Sequence, residues 1–494
     1  MEYIASIPRT QVMLLPACVE DYVGPENPVR VIEEFVNGLD LAKLKWPQRE
    51  VGLPGARSFD PRVFLKLFIY GYLNRVRSSR ELEKACCRNL EVIWLLSGLR
   101  PDHWTINNFR RVHRRQFAAI FREFNLLCGA LGLFGADLVA IDGSFFKGVN
   151  NKDRNFTKEK LEQLLREIDA RTEAYLATLE QAETETADQG LGSAGSEPAP
   201  AESPRARVAQ WQEKRAELAE LLARVTAAGE TQISLTDPDS RRLHKPKETV
   251  VGYNVQVAVD AAHHLIAAQE VTCDGNDKQQ MAPMAEAARA ALGVEKLVAA
   301  LDSGFHSLEQ IKRCEALGIE VYVPAPKPAR VAGDGTYPES SFRYEAERDC
   351  YHCPQGHVLT RKSDTHMTHG CYHVYANYRA CRACPVRGEC TSGAYRRINV
   401  HEDAEIAAAA AARLAQRPEI MGQRMGIVEH VFGTIKGWWN HGAFLTRGLE
   451  MVRAEFSLSC LAYNLRRTLN LIPVPQLLSD LRALAAAKAA AVGA

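Results

Sequence analysis

The chain has no long uncharged apolar run and no excess of either charge. Its 494 residues include 61 Lys and Arg against 60 Asp and Glu, which gives a formal net charge of +1. A membrane span is therefore not expected. The start, Met1-Glu2-Tyr3-Ile4, has no basic stretch followed by an apolar core, so a secretory signal is not expected either. Because the net charge is close to zero, any basic surface has to be local.

The cysteines do not form the even set that a disulfide framework requires. Thirteen are present, and six of them lie between Cys350 and Cys390. This usage predicts a reducing, cytoplasmic setting and a zinc-binding insert at 331–400. The evidence is two pairs with the Cys-x-x-Cys spacing of structural zinc sites, Cys350 with Cys353 and Cys381 with Cys384. The candidate ligands exceed the four that zinc takes: Cys350, Cys353, Cys371, Cys381, Cys384, Cys390, His352 and His357.

The first 135 residues predict short helices, of which the last is basic. Four arginines on or just after the helix that follows Pro101-Asp102 are Arg110, Arg111, Arg114 and Arg115. Short helices with a basic final helix are typical of helix-turn-helix DNA-binding domains. A helical packing domain with a solvated basic face fits the same pattern. We predict an all-α DNA-binding domain over 1–135.

Two apolar runs in the middle of the chain each end in an aspartate. The run 137–142 ends at Asp142 and the run 296–302 ends at Asp302, and each is followed by two small residues and a phenylalanine. A carboxylate at a strand end is held rigidly, as a metal ligand needs to be, although an aspartate that starts a turn is also common. Alternating and apolar runs at 250–260, 265–272 and 319–323 predict three further strands. The prediction is an α/β domain with a mixed five-stranded sheet and helices, formed by 136–156, 231–330 and 401–471.

Residues 157–230 have a different pattern. Apolar residues recur at alternating spacings of four and three from Leu161 to Leu179 and from Val208 to Val225. The stretch between them, 190–204, is rich in Gly, Ser, Ala, Pro and Glu, as flexible loops are. We predict an antiparallel coiled-coil hairpin inserted into the α/β domain, with Arg215 at a seam position.

A third carboxylate, Glu429, lies on a predicted helix near the C-terminal end. Alone it resembles a surface acid on an amphipathic helix. Together, Asp142, Asp302 and Glu429 form the kind of oxygen-ligand set that holds two divalent cations for an in-line phosphoryl displacement. Lys436, two helical turns after Glu429, could then neutralise a neighbouring phosphate.

Several local motifs, taken as a set, are highly specific. They are Ala140-Ile141-Asp142-Gly143-Ser144, Thr236-Asp237-Pro238-Asp239-Ser240-Arg241, Gly252-Tyr253-Asn254-Val255-Gln256, Leu301-Asp302-Ser303-Gly304-Phe305, Val428-Glu429-His430-Val431-Phe432-Gly433-Thr434-Ile435-Lys436, Phe444-Leu445-Thr446-Arg447-Gly448-Leu449 and Ala462-Tyr463-Asn464-Leu465-Arg466-Arg467. With them the chain resembles the DDE transposases of prokaryotic insertion sequences, in the branch with an N-terminal helical domain and a cysteine-bearing insert.

The resemblance implies an RNase H-like catalytic domain and a set of site residues. Asp142, Asp302 and Glu429 become the acidic triad, which takes Mg²⁺ or Mn²⁺, with Lys436 beside it. For zinc it favours four cysteines over the other candidates, with Cys350 as the alternative: Cys353, Cys381, Cys384 and Cys390. The family signature places a tyrosine and an arginine before the glutamate. Gly422 and Met425 occupy those positions here, and Arg424 could substitute for the arginine.

DNA contacts are predicted beyond the N-terminal arginines. The additional candidates are Arg241, Arg242, Lys245, Arg424 and Arg447. The basic run that begins at Arg241 fits a solvated loop equally well. The tail 472–494 is Ala-rich, and we assign it no function.

The leading hypothesis is a DNA transposase that cleaves transposon ends and joins them to target DNA as a homodimer or higher oligomer. Its partners would be terminal inverted repeats and target DNA, in the cytoplasm and associated with the nucleoid. One alternative is a metal-dependent nuclease of the same fold, and another is a catalytically inactive, transposase-derived DNA-binding protein.

Overall fold

The computed structural model describes residues 18–46, 59–151, 154–188, 204–244, 249–326, 337–367 and 370–492. Lys245 lies outside the described residues, as does the predicted flexible loop except for its last residue. Within the described part of the chain, no helix is long and apolar enough to cross a membrane.

The chain forms sixteen α-helices and thirteen strands within the described residues. The helices are α1 Val29–Asn37, α2 Pro61–Leu73, α3 Ser79–Arg88, α4 Leu90–Leu95, α5 His103–Val112, α6 Gln116–Ala130, α7 Lys158–Asp188, α8 Pro204–Ala227, α9 Met281–Leu292, α10 Leu308–Ala316, α11 Tyr378–Arg382, α12 Arg387–Cys390, α13 Ala404–Gln416, α14 Ile420–Phe432, α15 Leu449–Leu471 and α16 Val474–Val492. The strands are β1 Val139–Lys147, β2 Asn155–Thr157, β3 Gln232–Ser234, β4 Arg241–His244, β5 Thr249–Asp260, β6 Ile266–Thr272, β7 Leu297–Ala300, β8 Ile319–Tyr322, β9 Arg343–Glu345, β10 Cys350–His352, β11 Val358–Met367, β12 Gly370–Ala376 and β13 Arg397–His401.

The central sheet is mixed and has the strand order β4-β5-β1-β7-β8, with β6 also paired to β5. Strand β1 is antiparallel to β5 and parallel to β7, and β7 is parallel to β8. The five predicted strands are present, and the short strand β4 makes six. Sequence analysis missed β4 because Arg241 and Arg242 begin it and hide its short apolar signal.

The N-terminal helices share one hydrophobic core with the central sheet. Helices α2 and α6 pack against α15, which itself lies on β6. Buried amides link these layers: Asn125 Nδ2 donates to the carbonyl oxygens of Ile266 and Ala267, and Asn464 Nδ2 donates to Asn125 Oδ1. Residues from the N-terminal helices, the sheet and α15 therefore belong to one continuous cluster of buried side chains. The boundary predicted at residue 135 does not separate two cores.

Helices α7 and α8 pack against each other as an antiparallel hairpin. Leu161, Leu218 and Val225 are buried between them, and the short strands β2 and β3 pair at the base. Arg215, at its seam position, forms an ion pair with Asp169 across the hairpin at 2.5 Å. A charge at the seam is thus compensated by the partner helix.

The cysteine-rich insert is built on an antiparallel sheet of order β13-β12-β11-β10-β9. Within its described residues, one small cluster of four buried side chains forms its core: Phe342, Leu359, Tyr375 and Ile398. So small a core stabilises a fold weakly without a cross-link or a metal.

The C-terminal tail is packed rather than detached. Helix α16 lies against α1, with Leu477, Leu478 and Leu481 buried. Arg482 Nε lies 3.3 Å from Glu34 Oε2. The tail therefore adds to the N-terminal helical layer.

Candidate active site

The register of the central sheet brings Asp142 and Asp302 to the same level. Strand β1 continues to Lys147, beyond the end predicted at Asp142, so Asp142 lies within the strand, whereas Asp302 lies two residues after the end of β7. Ala140 of β1 pairs with Ala300 of β7 in parallel register. Asp142 and Asp302 each lie two residues beyond that pair, so they face each other across neighbouring strands. The side chain of Asp142 is 20% exposed and that of Asp302 is 45% exposed.

Local backbone groups orient both carboxylates. The Gly143 backbone N–H donates to Asp142 Oδ1 at 2.9 Å. Asp302 caps a short 3-10 turn, in which the Gly304 N–H donates to Asp302 Oδ1 at 2.8 Å. Because the residues after each aspartate are small, their backbone N–H groups can reach the carboxylate and donate to it.

Arg424 on α14 bridges the two aspartates. Its Nη2 lies 2.7 Å from Asp142 Oδ1 and 3.7 Å from Asp302 Oδ2, and its side chain is only 11% exposed. Its buried Nε and Nη2 have no hydrogen-bond partner within the described residues. The guanidinium therefore balances charge at this site without being fixed by hydrogen bonds.

The pKa of Asp142 is raised to about 6, and burial is the largest cause. Arg424 acts to lower this pKa, whereas the neighbouring carboxylates of Asp302 and Asp277 contribute to the rise. One arginine therefore does not fully compensate the negative charge gathered here.

Asp277 is an acidic neighbour that the sequence analysis missed. It follows β6, and its Oδ1 accepts hydrogen bonds from Asn254 Nδ2 at 2.7 Å and Gln256 Nε2 at 2.5 Å. Burial raises its pKa, the two amides lower it, and Asp302 raises it. The signal that could have identified it is the pair of amides on β5, both fully buried and in need of a polar partner.

Glu429 lies on the same helix as Arg424 but is exposed. The neighbouring residues Ile427, Val428 and Val431 are buried, and α14 packs against β1 and β7. Among the described residues, the carboxylates of Asp142, Asp302 and Glu429 do not form a set of ligand atoms all within 4.8 Å of one another. The α14 side chain in contact with Asp142 is Arg424.

Lys436 is attached to β1 directly after Asp142. Its Nζ donates to Ser144 Oγ at 2.6 Å and to the Phe145 carbonyl oxygen at 2.7 Å, and it lies 4.6 Å from the centre of the Phe146 ring. The backbone that carries it, Gly433–Trp438, is a π-helix, a form that often occurs at functional sites. Lys436 therefore contacts the strand that carries Asp142, and its predicted role beside a phosphate stays a prediction.

The four N-terminal arginines have different environments. Arg110 is 5% exposed, donates to Asn107 and lies over the Phe68 ring, so its prediction as a DNA contact is corrected. Arg111 is exposed. Arg114 and Arg115 both form ion pairs with Glu450 at 2.7 Å, which ties them to the start of α15.

The other predicted DNA contacts are also divided. Arg241 forms an ion pair with Glu230 at 2.7 Å, and its side chain is 19% exposed. Arg242 and Arg447 are exposed, and Arg424 is turned to the aspartates. Arg111, Arg115, Arg242 and Arg447 are therefore the predicted contacts that are exposed, and of these Arg115 is paired with Glu450.

The motif Thr236-Asp237-Pro238-Asp239 supports the start of α15. Asp237 Oδ2 accepts from Tyr253 Oη at 2.7 Å, and its Oδ1 accepts from the Gly448 N–H at 3.0 Å. Asp239 Oδ2 accepts from the Leu449 N–H at 2.8 Å. Two carboxylates at a helix N-terminus also interact favourably with the helix dipole.

Four cysteines line one small cavity in the insert. The cavity has a volume of about 30 Å³, and its lining includes Cys353, Cys381, Cys384 and Cys390. Cys353 and Cys384 lie in turn regions, where the Gly356 N–H donates to the Cys353 carbonyl and the Cys384 N–H to the Cys381 carbonyl, whereas Cys381 lies on α11 and Cys390 ends α12. Burial raises the pKa of the Cys390 thiol; Arg396 lowers it, and the other three cysteines raise it. The space admits a single ion or water molecule.

Cys350, the alternative zinc ligand, lies in another cluster. Its Sγ is 3.7 Å from Glu345 Oε2, and His352 Nε2 is 2.5 Å from the same oxygen. A similar trio on β11 and β12 consists of Asp364, Cys371 and His373. These are the two groups of three metal-ligand types that converge within the described residues. Cys350 and Cys371 are therefore separate from the four-cysteine cavity.

Comparison with known proteins gives two family matches. The family described as "Transposase DDE domain" matches residues 221–465, and the family described as "Transposase domain" matches residues 17–112. The first match contains Asp302, Arg424, Glu429 and Lys436, whereas Asp142 lies between the two. No curated protein matches the sequence.

One solved structure is similar, the cryo-EM structure of the piggyBac transposase synaptic complex with hairpin DNA. The identity is 8% and the TM-score is 0.31, with 93% of this chain and 79% of that chain covered. A similarity at this level supports no argument about fold or ligand.

Proposed function

Since the chain belongs to the DDE transposases, we propose that it cleaves DNA at transposon ends and joins the freed 3′ end to target DNA. The observation that carries the proposal is that Asp142 and Asp302 both lie beside the same guanidinium. Their carboxylate oxygens are 2.7 Å and 3.7 Å from Arg424 Nη2. Their positions beyond the Ala140–Ala300 pair support the same conclusion.

The sheet supports an RNase H-like catalytic domain. In the order β6-β5-β1-β7-β8, β5 is antiparallel to both of its neighbours, and β7 and β8 run parallel to β1. In this assignment Asp142 lies on the central strand and Asp302 follows the adjacent one. The coiled-coil hairpin and the cysteine-rich sheet are inserts.

The acidic group fits Mg²⁺ or Mn²⁺. Its ligand atoms are hard carboxylate oxygens, and Asp142 carries charge that Arg424 leaves partly uncompensated. Asp142 and Asp302 would hold the ion, with Glu429 as the third ligand. When bound, such ions activate a water or a 3′-hydroxyl and stabilise the leaving oxygen.

Glu429 requires a shift of its side chain or of α14 to join the aspartates. Its exposure leaves the carboxylate room to rotate. Arg424 would leave Asp142 at the same time, because its guanidinium and the metal ion would compete for the same carboxylate. Arg424 would then become available to a DNA phosphate. Lys436 keeps β1 in place through Ser144 and the Phe145 carbonyl.

For the four-cysteine cavity we propose a structural Zn²⁺. Four thiolates are a complete tetrahedral ligand set. Cys353, Cys381, Cys384 and Cys390 all line the same ion-sized cavity, which supports the proposal. No three of their sulfur atoms lie within 4.8 Å of one another, so zinc would draw the thiolates together. The small core of the insert gives the metal a role in folding.

DNA is the partner, as terminal inverted repeats and as target. Arg111, Arg242 and Arg447 would contact phosphates, and binding should therefore weaken with salt. Two ends have to be brought together in transposition, so we propose a dimer or higher oligomer on DNA of the nucleoid.

Strand transfer with a pre-cleaved transposon end tests the proposal. The full chain with Mg²⁺ should join that end to a supercoiled target, and omission of the metal should abolish joining. Cleavage of intact ends without any joining would instead identify a nuclease of the same fold. If neither reaction occurred although the ends were bound specifically, the catalytic proposal would be wrong.

A further inference from the structure

Asp277 is the acid of this site that no sequence motif identified. It lies beside both aspartates. Its Oδ1 is 2.6 Å from the position a Cβ would take on Gly143, directly after Asp142, and its Oδ2 is 3.9 Å from the corresponding position on Gly304, which is 3.0 Å from Asp302 Oδ1. It reaches them from a different element, the segment between β6 and α9. Three elements of the chain thus bring carboxylates to the same region, where the ligand atoms of Asp142, Asp277 and Asp302 do not all lie within 4.8 Å of one another.

The two oxygens of Asp277 have different surroundings. Oδ1 accepts both amide hydrogen bonds, from Asn254 and Gln256. Oδ2 lies 3.9 Å from the position a Cβ would take on Gly304, on the side of Asp302, and accepts no hydrogen bond from the described residues. One oxygen is fixed by hydrogen bonds, and the other lies on the side of Asp302.

The side-chain amides of Asn254 and Gln256 are well suited to hold the Asp277 carboxylate in place. Asn254 and Gln256 are fully buried on β5, where they oppose Phe145 and Gly143 of β1. Gln256 Nε2 also donates to Asn254 Oδ1 at 3.1 Å, which orients the first amide. Amide donors hold a carboxylate without supplying a cation of their own, as residues behind a metal ligand do.

Gly143 leaves the space that Asp277 occupies. A methyl group there would lie 2.5 Å from Gln256 Nε2 and 2.6 Å from Asp277 Oδ1. Both contacts are far inside van der Waals distance. The lack of a side chain at Gly143 and the amides of Asn254 and Gln256 on β5 therefore together allow Asp277 to occupy its position.

We infer that Asp277 is a fourth carboxylate of the metal site, with Oδ2 as its ligand atom and with Asn254 and Gln256 as its positioning residues. The inference rests on the proposed function, because the cation is the one that Asp142 and Asp302 would hold. It adds a ligand from a part of the chain outside the acidic triad.

Binding of Mn²⁺ to the full chain in the absence of DNA tests the inference. Asp277→Asn keeps an oxygen that can accept both amide hydrogen bonds and removes the charge. We expect Mn²⁺ binding to weaken at least about tenfold, while the melting temperature in EDTA does not fall. Glu309→Gln, which changes an exposed acid on α10, should leave Mn²⁺ binding unchanged.

The contrary outcomes are distinct. If Asp277→Asn bound Mn²⁺ like the unchanged protein while Asp142→Asn and Asp302→Asn did not, Asp277 would only satisfy the buried amides and the inference would be wrong. A lowered melting temperature in EDTA with normal Mn²⁺ binding would overturn it in the same way. If none of the three variants altered Mn²⁺ binding, the metal site of the proposed function would fail as well.

Discussion

The acidic group at the central sheet and the cysteine cavity of the insert differ in what holds their ligands. Asp142 lies on a strand of a large core and Asp302 just after the neighbouring strand, and Arg424 balances part of their charge. The cysteines lie on turns and two short helices above a cluster of four buried side chains. Under the two proposals, the first arrangement folds without its ion, whereas the second needs zinc for folding. Loss of metal should therefore stop the reaction at the acidic group and prevent local folding around the cysteine cavity.

The largest expected effect is at the cysteine cavity. Cys384→Ser should remove bound zinc and unfold the insert, because structural zinc binding is worth on the order of 10 kcal/mol in small domains. Elemental analysis gives the zinc content, and limited proteolysis shows cleavage within 337–401.

Cys87→Ser is the matched control, since Cys87 is an exposed thiol outside the insert. It should retain zinc. Full zinc content in Cys384→Ser would exclude the proposed ligand set.

Replacement of a catalytic carboxylate should affect the reaction without affecting folding. Asp302→Ala is expected to slow end cleavage by about 10³-fold or more, which corresponds to about 4 kcal/mol. Its melting temperature in EDTA should stay close to that of the unchanged chain.

Glu309→Gln serves as the comparison, because Glu309 is an exposed acid on the helix that follows. We expect the cleavage rate of this control to stay within a factor of about two of the rate of the unchanged chain, because substitutions at exposed sites usually have small effects. Normal cleavage by Asp302→Ala would contradict the proposed site.

The next effect concerns pH. The pKa of Asp142 is raised to about 6 in the fold, so protonation is favoured there and the carboxyl contributes stability at low pH that is lost as pH rises through about 6. Asp142→Asn imitates the protonated form. In EDTA it should therefore be more stable than the unchanged chain at pH 8, by up to about 3 kcal/mol.

Chemical denaturation at pH 8 and pH 4 measures this difference. At pH 4 the two proteins should be nearly equal, because Asp142 is then mostly protonated in the folded state. A gain that is equal at both pH values would show that it does not come from ionisation.

The smallest expected effect concerns the guanidinium of Arg424. Arg424→Gln removes the guanidinium that competes with a metal for Asp142, so Mn²⁺ should bind more tightly, by roughly three- to tenfold for an interaction near 1 kcal/mol. The gain should shrink at high salt. Calorimetric titration at two salt concentrations provides the measurement, and unchanged affinity at low salt would show that Arg424 does not compete.

Local patterns carried much of the fold and part of the site. Asp142 and Asp302 could be identified because each ends an apolar run, and the run itself predicts the strand. The Ala140–Ala300 register that sets them opposite each other is a property of the sheet. Arg424 and Asp277 meet these acids only through long-range packing, which no local pattern encodes.

The errors have physical causes as well. Arg110 was predicted to face DNA, yet it lies four residues after Ile106 and next to Phe109, on the buried stripe of α5. That periodicity was readable from the sequence. By contrast, Arg114 and Arg115 pair with Glu450 from a helix more than three hundred residues away, and this pairing was not readable.

The continuous core of the N-terminal helices and the central sheet has a consequence for how the protein can change over generations. Helices α2 and α6 rest on α15, and Asn125 and Asn464 share hydrogen bonds with β6. A fragment ending at residue 135 would expose the apolar faces that α15 covers. The helices proposed to recognise transposon ends therefore cannot be exchanged between relatives as a cassette. New specificity for DNA ends has to arise by surface substitution, while the buried side chains of both parts are inherited together.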